Sequence, residues 1–187
     1  MAKKISDGAD VLLRGFPPLV GPEPLALILG SMPSEASLRA GRYYAFRSNR
    51  FWPMLAALFP GEGAALMDGD FSLRYAALGR LHIALWDTIG VCRRAGSLDS
   101  AIRDAVPNDV AGLLRSAPTV RAVLLNGRKS ESMWKKCAEE SVLSLRPDIR
   151  IFSLPSTSPA NAAVHFDALA RRWGEAFAAA GCLKNRQ

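Results

Sequence analysis

Hydrophobic patterning breaks this chain into short apolar runs separated by amphipathic segments. Four runs stand out: Leu25–Gly30, Leu81–Trp86, Val120–Leu125 and Ile149–Leu154. They are too short for helices and read as buried strands, the second and third centred on His82–Trp86 and Arg121–Leu125. Pro22, Pro24 and Pro33 bound the first of them. Each run passes at once into small or polar residues: Ser31-Met32-Pro33-Ser34, Asp87-Thr88, Asn126-Gly127 and Pro155-Ser156-Thr157-Ser158-Pro159-Ala160-Asn161.

Between the runs the spacing predicts helices. Trp52–Phe59 is one, with Pro53 in its first turn, where its missing N–H costs nothing. Phe71–Gly79, Asp109–Ser116 (capped by Asn108) and Ser130–Glu140 are others. In the last segment Phe166, Leu169, Ala170, Trp173 and Phe177 recur at helical spacing, opposite Asp167, Arg171, Arg172 and Glu175, and Gly181 ends the pattern. Strands alternating with helices imply an α/β fold. The expectation is a single domain over residues 1–187, core about 20–181, with three αβα layers around a central four-stranded, mostly parallel sheet. Ligands of such sheets bind beyond the carboxyl ends of the strands, so the four polar clusters would form one site.

Composition narrows the class. Hydrophobic residues make up 49% and charged residues 22%, which is globular rather than disordered. No stretch approaches a membrane span, and the basic start Met1–Asp7 lacks the apolar segment of a secretory signal, so a cytoplasmic monomer is expected. Cys92, Cys137 and Cys182 are odd in number and lack CxxC spacing. That argues against a disulfide framework or a zinc site and for reduced, mostly buried thiols. The net charge of +7 suits a polyanionic partner such as nucleic acid. Basic residues recur after the runs, at Arg39, Arg42, Arg47, Arg50, Arg93, Arg94, Arg128 and Lys129.

Common catalytic motifs are missing. No GxGxxG follows a strand, and Gly127-Arg128-Lys129-Ser130 lacks the upstream glycine of a phosphate loop. The two histidines, His82 inside a strand and His165 on a helix, read as structural residues, His82 in the core. What remains is hydroxyls, amides and prolines. Ser31, Ser34, Ser156 and Ser158 suit either phosphate binding with neighbouring backbone N–H groups or simple capping. The segment Gly41–Trp52 combines aromatic and basic residues, which can stack a base and follow a backbone. Phe51 and Trp52 read as core, whereas Tyr43 and Tyr44 suit either role.

Taken in order, Leu27–Ser34, Tyr43-Tyr44-Ala45, Asn49-Arg50-Phe51-Trp52, Ala84–Asp87, Gly96–Ile102 and Leu154–Asn161 resemble the uracil-DNA glycosylase superfamily, nearest its hypoxanthine (deoxyinosine) branch. The resemblance covers roughly residues 20–180. It implies a monofunctional DNA glycosylase of base excision repair, with DNA containing deaminated bases as partner and no metal or cofactor. Uracil or hypoxanthine would be flipped out of the helix and its N-glycosidic bond hydrolysed. Many members carry a water-positioning Asp or Asn where this chain has Met32; in the hypoxanthine branch the matching catalytic residue is Asn49. Tyr44 matches the aromatic that stacks on the base, with Ser31 and Met32 beside it in the substrate pocket. Asp87 falls where relatives read the base. A carboxylate there accepts the N–H that uracil and hypoxanthine present and that cytosine N3 and adenine N1 lack. Activating the water, or capping the next turn, are its other roles. Ser34, Arg47, Ser156, Thr157, Ser158 and Asn161 would hold DNA, with Ser158–Asn161 entering the minor groove. Asn126 has no assigned role. Two other classes are a non-catalytic reader of damaged DNA, suggested by Met32, and a hydrolase of free nucleotides or nucleosides.

Overall fold

A computed structural model describes residues 11–183. In chain order its elements are β1 (Val11–Arg14), β2 (Ala26–Gly30), α1 (Glu35–Ala40), α2 (Phe51–Leu58), α3 (Gly63–Met67), α4 (Phe71–Arg80), β3 (Ile83–Asp87), β4 (Ile89–Arg94), β5 (Arg103–Pro107), α5 (Val110–Ser116), β6 (Ala122–Asn126), α6 (Arg128–Cys137), α7 (Glu139–Leu145), β7 (Arg150–Leu154) and α8 (Phe166–Ala180). The four apolar runs became β2, β3, β6 and β7. They pair in parallel in the order β3-β2-β6-β7.

Every residue of β2 and β6 is buried, as central strands covered on both faces must be. Successive side chains leave opposite faces of the sheet. Ala26 and Ile28 accordingly pack with Phe51, Trp52, Leu169, Trp173 and Phe177 from α2 and α8. Leu27 and Leu29 pack on the other side with Val110, Leu114, Trp134 and Val142 from α5, α6 and α7. The result is the three-layer αβα arrangement. After β2 the chain moves to one side to form β3, then crosses to the other side for β6. This reversal opens a crevice at the carboxyl ends of the strands.

Local chemistry fixes the element ends. Ser34 caps α1 by accepting the Ser37 N–H, and Gly181 ends α8 with φ of 87°, a conformation that disfavours side chains. The Asp109 carboxylate, not Asn108, caps α5 by accepting the Gly112 N–H at 2.8 Å. Asn108 instead donates to the Asp87 carbonyl at 2.8 Å. The helix expected over Ser130–Glu140 is two helices, α6 and α7, broken at the buried Ala138.

The fold adds one sheet to the expected one, and three residue readings need correction. A second, antiparallel sheet, β1-β4-β5, extends from the end of β3; its outer strands are largely exposed, β1 with only three apolar residues (Val11–Leu13) and β5 mixed in character, so neither has a run as long as those that marked the others. His82 is neither in a strand nor in the core: it is exposed at a φ of 57° just before β3, its Nδ1 facing the Glu23 carbonyl. Of the cysteines only Cys92 is buried, while Cys137 is exposed and Cys182 lies between. His165 stands at the amino-terminal cap of α8 rather than within it. The leader-free start read from Met1–Asp7 lies outside the described residues. No helix among them is long and apolar enough to cross a membrane.

Candidate active site at the strand ends

A cavity of about 1080 Å³ occupies the crevice, lined by residues from all four strand ends and from the loops at 43–49 and 97–100. Its floor is built by Gly30, Tyr44, Asp87 and Asn126. A Cβ on Gly30 would collide with Asp87 Oδ1 and come within 3.2 Å of the Tyr44 hydroxyl. Glycine therefore lets a carboxylate and a phenol crowd onto the end of the central strand.

Asp87 is 4% exposed, and its Oδ2 has no hydrogen-bond partner. Burial pushes its carboxyl up to about 7; the negative charge of Asp99 adds to the rise and Arg94 opposes it. Tyr44 sits at a φ of 51°, its ring stacked on Phe51 at 3.9 Å. Burial, with the Asp87 charge, holds its phenol far above its ordinary value, so it is a neutral hydroxyl. Asn126 fastens this corner. Its amide donates to the Tyr44 hydroxyl at 2.9 Å and to Thr157 Oγ1 at 3.0 Å, and its carbonyl accepts the Thr157 N–H at 3.0 Å. One buried amide thus ties the end of β6 to the loops that follow α1 and β7.

The rim carries the other expected residues. Ser31 donates to Asp99 Oδ1 at 2.6 Å. Asn49 lines the cavity while its Oδ1 accepts the Phe51 N–H at 3.0 Å, supporting the start of α2. Ser34, Ser156, Ser158 and Asn161 also line it. Each has a local structural bond: Ser156 Oγ accepts from Ser158 N, Ser158 Oγ from Ala160 N, and Asn161 donates to the Ser156 carbonyl at 3.0 Å. Gly127, at a φ of 93°, lets the start of α6 approach Ser156, which would sit 2.8 Å from an added Cβ.

Several placements differ from the linear reading. Thr157 is fully buried, its hydroxyl turned to Asn126, so it builds the wall of the cavity rather than a surface for DNA. Met32 touches the cavity but is only 7% exposed and packs with Ile89, Cys92, Ile102 and Met133. Arg47 lies on an exposed turn and does not line the cavity. Tyr43 is core: it is 3% exposed and donates to the Pro17 carbonyl at 3.1 Å. Two arginines of the basic clusters that follow the runs are internal braces. Arg50 donates to the carbonyls of Ser156, Asn161 and Val164, holding the last loop in shape. Arg94 is 2% exposed and donates to the Pro33 carbonyl. Arg39, Arg128 and Lys129 do line the cavity. Neither Asn126 nor Asp99 had a role in the linear reading; Asn126 was marked by its place at the end of a fully buried strand, and Asp99 by its place within Gly96–Ile102.

Comparison with known proteins gives a consistent picture. The sequence profile of the uracil DNA glycosylase superfamily matches residues 17–176. The hypoxanthine DNA glycosylase of Methanosarcina barkeri (strain Fusaro / DSM 804) is 37% identical over 117 residues, 63% of this chain and 72% of that protein. The hypoxanthine DNA glycosylase of Methanosarcina acetivorans is 36% identical over 120 residues, 64% of this chain and 74% of that protein. A solution NMR structure from Methanosarcina acetivorans, described as a candidate uracil DNA glycosylase, superposes with a TM-score of 0.75 at 29% identity, covering 91% of this chain and 99% of its own.

Proposed function

Since the chain belongs to the uracil DNA glycosylase superfamily and is a DNA glycosylase, we propose that it excises hypoxanthine, and uracil less well, from DNA. The observation that carries this reading is the Asp87 carboxylate, buried at the floor of a roomy cavity with one oxygen unpartnered. Hypoxanthine offers N1–H beside its O6 carbonyl, and the ionised carboxylate accepts that proton. Adenine N1 offers a lone pair instead, which leaves the buried acceptor unmatched and disfavours the normal base. The cavity volume of about 1080 Å³ has space for a purine.

In this scheme the base stacks on the face of Tyr44 not covered by Phe51. Asn49 holds the attacking water by hydrogen bonding; an amide orients water without acting as a strong base. Bond cleavage therefore runs ahead of water attack, through an oxocarbenium-like sugar. Ser34, Ser156 and Ser158, with Arg39, Arg128 and Lys129, receive the flanking phosphates, and Arg47 reaches the backbone from its exposed turn. The scheme draws its residues from a single copy of the chain, and the protein is taken to act as a monomer. No observation favours the reader or the free-nucleotide hydrolase.

The test is a labelled duplex with one deoxyinosine or one deoxyuridine, incubated with excess protein and cleaved with alkali. Deoxyinosine should be cut fastest, and Asn49→Ala should lose most excision while still binding DNA. Intact strands for both lesions would end the reading.

A further inference from the structure

The loop joining β4 to β5 carries chemistry that the scheme above does not use. Residues 97–100 line the cavity mouth. Two hydrogen bonds pin this stretch: Ser97 Oγ accepts the Glu35 N–H at 3.0 Å, and Asp99 Oδ1 accepts the Ser31 hydroxyl at 2.6 Å. Beyond Asp99 the chain makes a single 3-10 turn and ends in Ile102, whose N–H reaches back to the Asp99 carbonyl at 3.3 Å. Ile102 is buried in the apolar cluster of Met32, Ile89, Cys92 and Met133. The apolar Met32, which cannot orient water itself, is thus part of the hydrophobic cluster that anchors the turn bringing a carboxylate to the same strand end.

An acid at this place is costly for a protein that binds DNA. The chain carries a net charge of +7 and lines the same cavity with Arg39, Arg128 and Lys129. Glu35, the other exposed acid there, pairs with Arg39 at 3.8 Å. None of the ion pairs among the described residues includes Asp99. An unneutralised carboxylate repels the phosphates of bound DNA. A part of the substrate becomes positive only during the reaction, at the deoxyribose, when the C1′–N bond breaks and its electron pair leaves with the base. Water then adds to C1′ and releases a proton to solvent, while the departing base anion takes one up.

We propose that Asp99, held by Ser31 and anchored through Ile102 in the apolar cluster that includes Met32, faces the sugar of the flipped nucleotide and stabilises the cationic transition state. The inference rests on the glycosylase reading and deepens it. Its charge is felt at the floor of the cavity, since it raises both Asp87 and Tyr44. The benefit appears only as charge develops, so it acts on the rate and not on substrate affinity.

That separation makes the test. Single-turnover excision of deoxyinosine is measured against protein concentration for the wild type, Asp99→Asn and Asp99→Glu. Asparagine keeps an acceptor for Ser31 and removes the charge. The maximal rate should fall on the order of 10²-fold, with half-saturation unchanged or at lower protein concentration, because a repulsion has gone. Asp99→Glu should recover part of the rate. An Asp99→Asn variant at full rate overturns the proposal. So does a loss of rate matched by weaker binding, or an Asp99→Glu no faster than Asp99→Asn; either makes the residue a structural part of its loop. A wild type that leaves deoxyinosine and deoxyuridine intact fails at the earlier step and removes the glycosylase reading along with this one.

Discussion

Asp87→Asn should stabilise the protein at alkaline pH and do so far less in acid. The carboxyl is almost completely buried, and burial raises it from 3.8 to about 7. Between those values the folded protein holds a proton that the unfolded chain releases. Stability therefore falls as pH rises through this window and is flat above and below it. A gap of roughly 3 pH units at about 1.4 kcal/mol each gives a loss of about 4 kcal/mol between pH 4 and pH 8. Asparagine mimics the neutral acid and has no such loss. The measurement is urea unfolding of both proteins at pH 4 and pH 8. Every other titrating group is common to the two, so its effect cancels in the difference between them. With a urea slope of about 2 kcal/mol per M, the variant's midpoint should gain roughly 2 M on the wild type between the two pH values. An equal midpoint difference at both would refute the argument that Asp87 is desolvated without a compensating partner. The same variant should lose excision, since it replaces the acceptor for the base N–H with a group that cannot carry the charge.

Other expectations follow from single contacts. Asn126→Ala removes three buried hydrogen bonds and leaves the Thr157 N–H without its acceptor. It should cost about 2–4 kcal/mol in urea unfolding and slow excision by freeing Tyr44. Gly30→Ala places a methyl group against Asp87 Oδ1 and 3.2 Å from the Tyr44 hydroxyl. Excision of deoxyinosine should collapse while the far-ultraviolet circular dichroism spectrum stays that of the folded protein; an active, well-folded Gly30→Ala would show that the two groups need not crowd the strand end.

The legible parts of this protein are those governed by local chemistry. Short apolar runs bounded by prolines and polar turns mark β2, β3 and β6, because a strand buried on both faces leaves a continuous hydrophobic signature; the edge strand β7 is only partly buried but keeps enough apolar residues to read the same way. The outer strands β1 and β5 are largely exposed and contribute little to the core, and the three apolar residues Val11–Leu13 of β1 are too few to mark a strand. Helix periods place α8 within a residue of its ends, yet the break between α6 and α7 at Ala138 carries no breaker residue to announce it. In the site, Tyr44, Asn49 and Asp87 are visible as members of ordered motifs, and the cavity includes all three.

The sequence by itself determined the four parallel strands, the larger helices between them, the family and the convergence of polar strand ends on one edge. Those depend on side-chain volume, turn chemistry and periodicity, which act over a few residues. The tertiary structure decided which charges face outward. Arg50 and Arg94 look like the other basic residues around them, but folding turns them onto backbone carbonyls, where the loops leave acceptors that water cannot reach. It also decided that Asn126 would join Tyr44 and Thr157, and that Asp99 would meet Ser31 across 68 positions of sequence. No local pattern encodes such meetings, because hydrogen bonds and charge effects depend on distance in space, and that distance exists only once the sheet has brought its strand ends together.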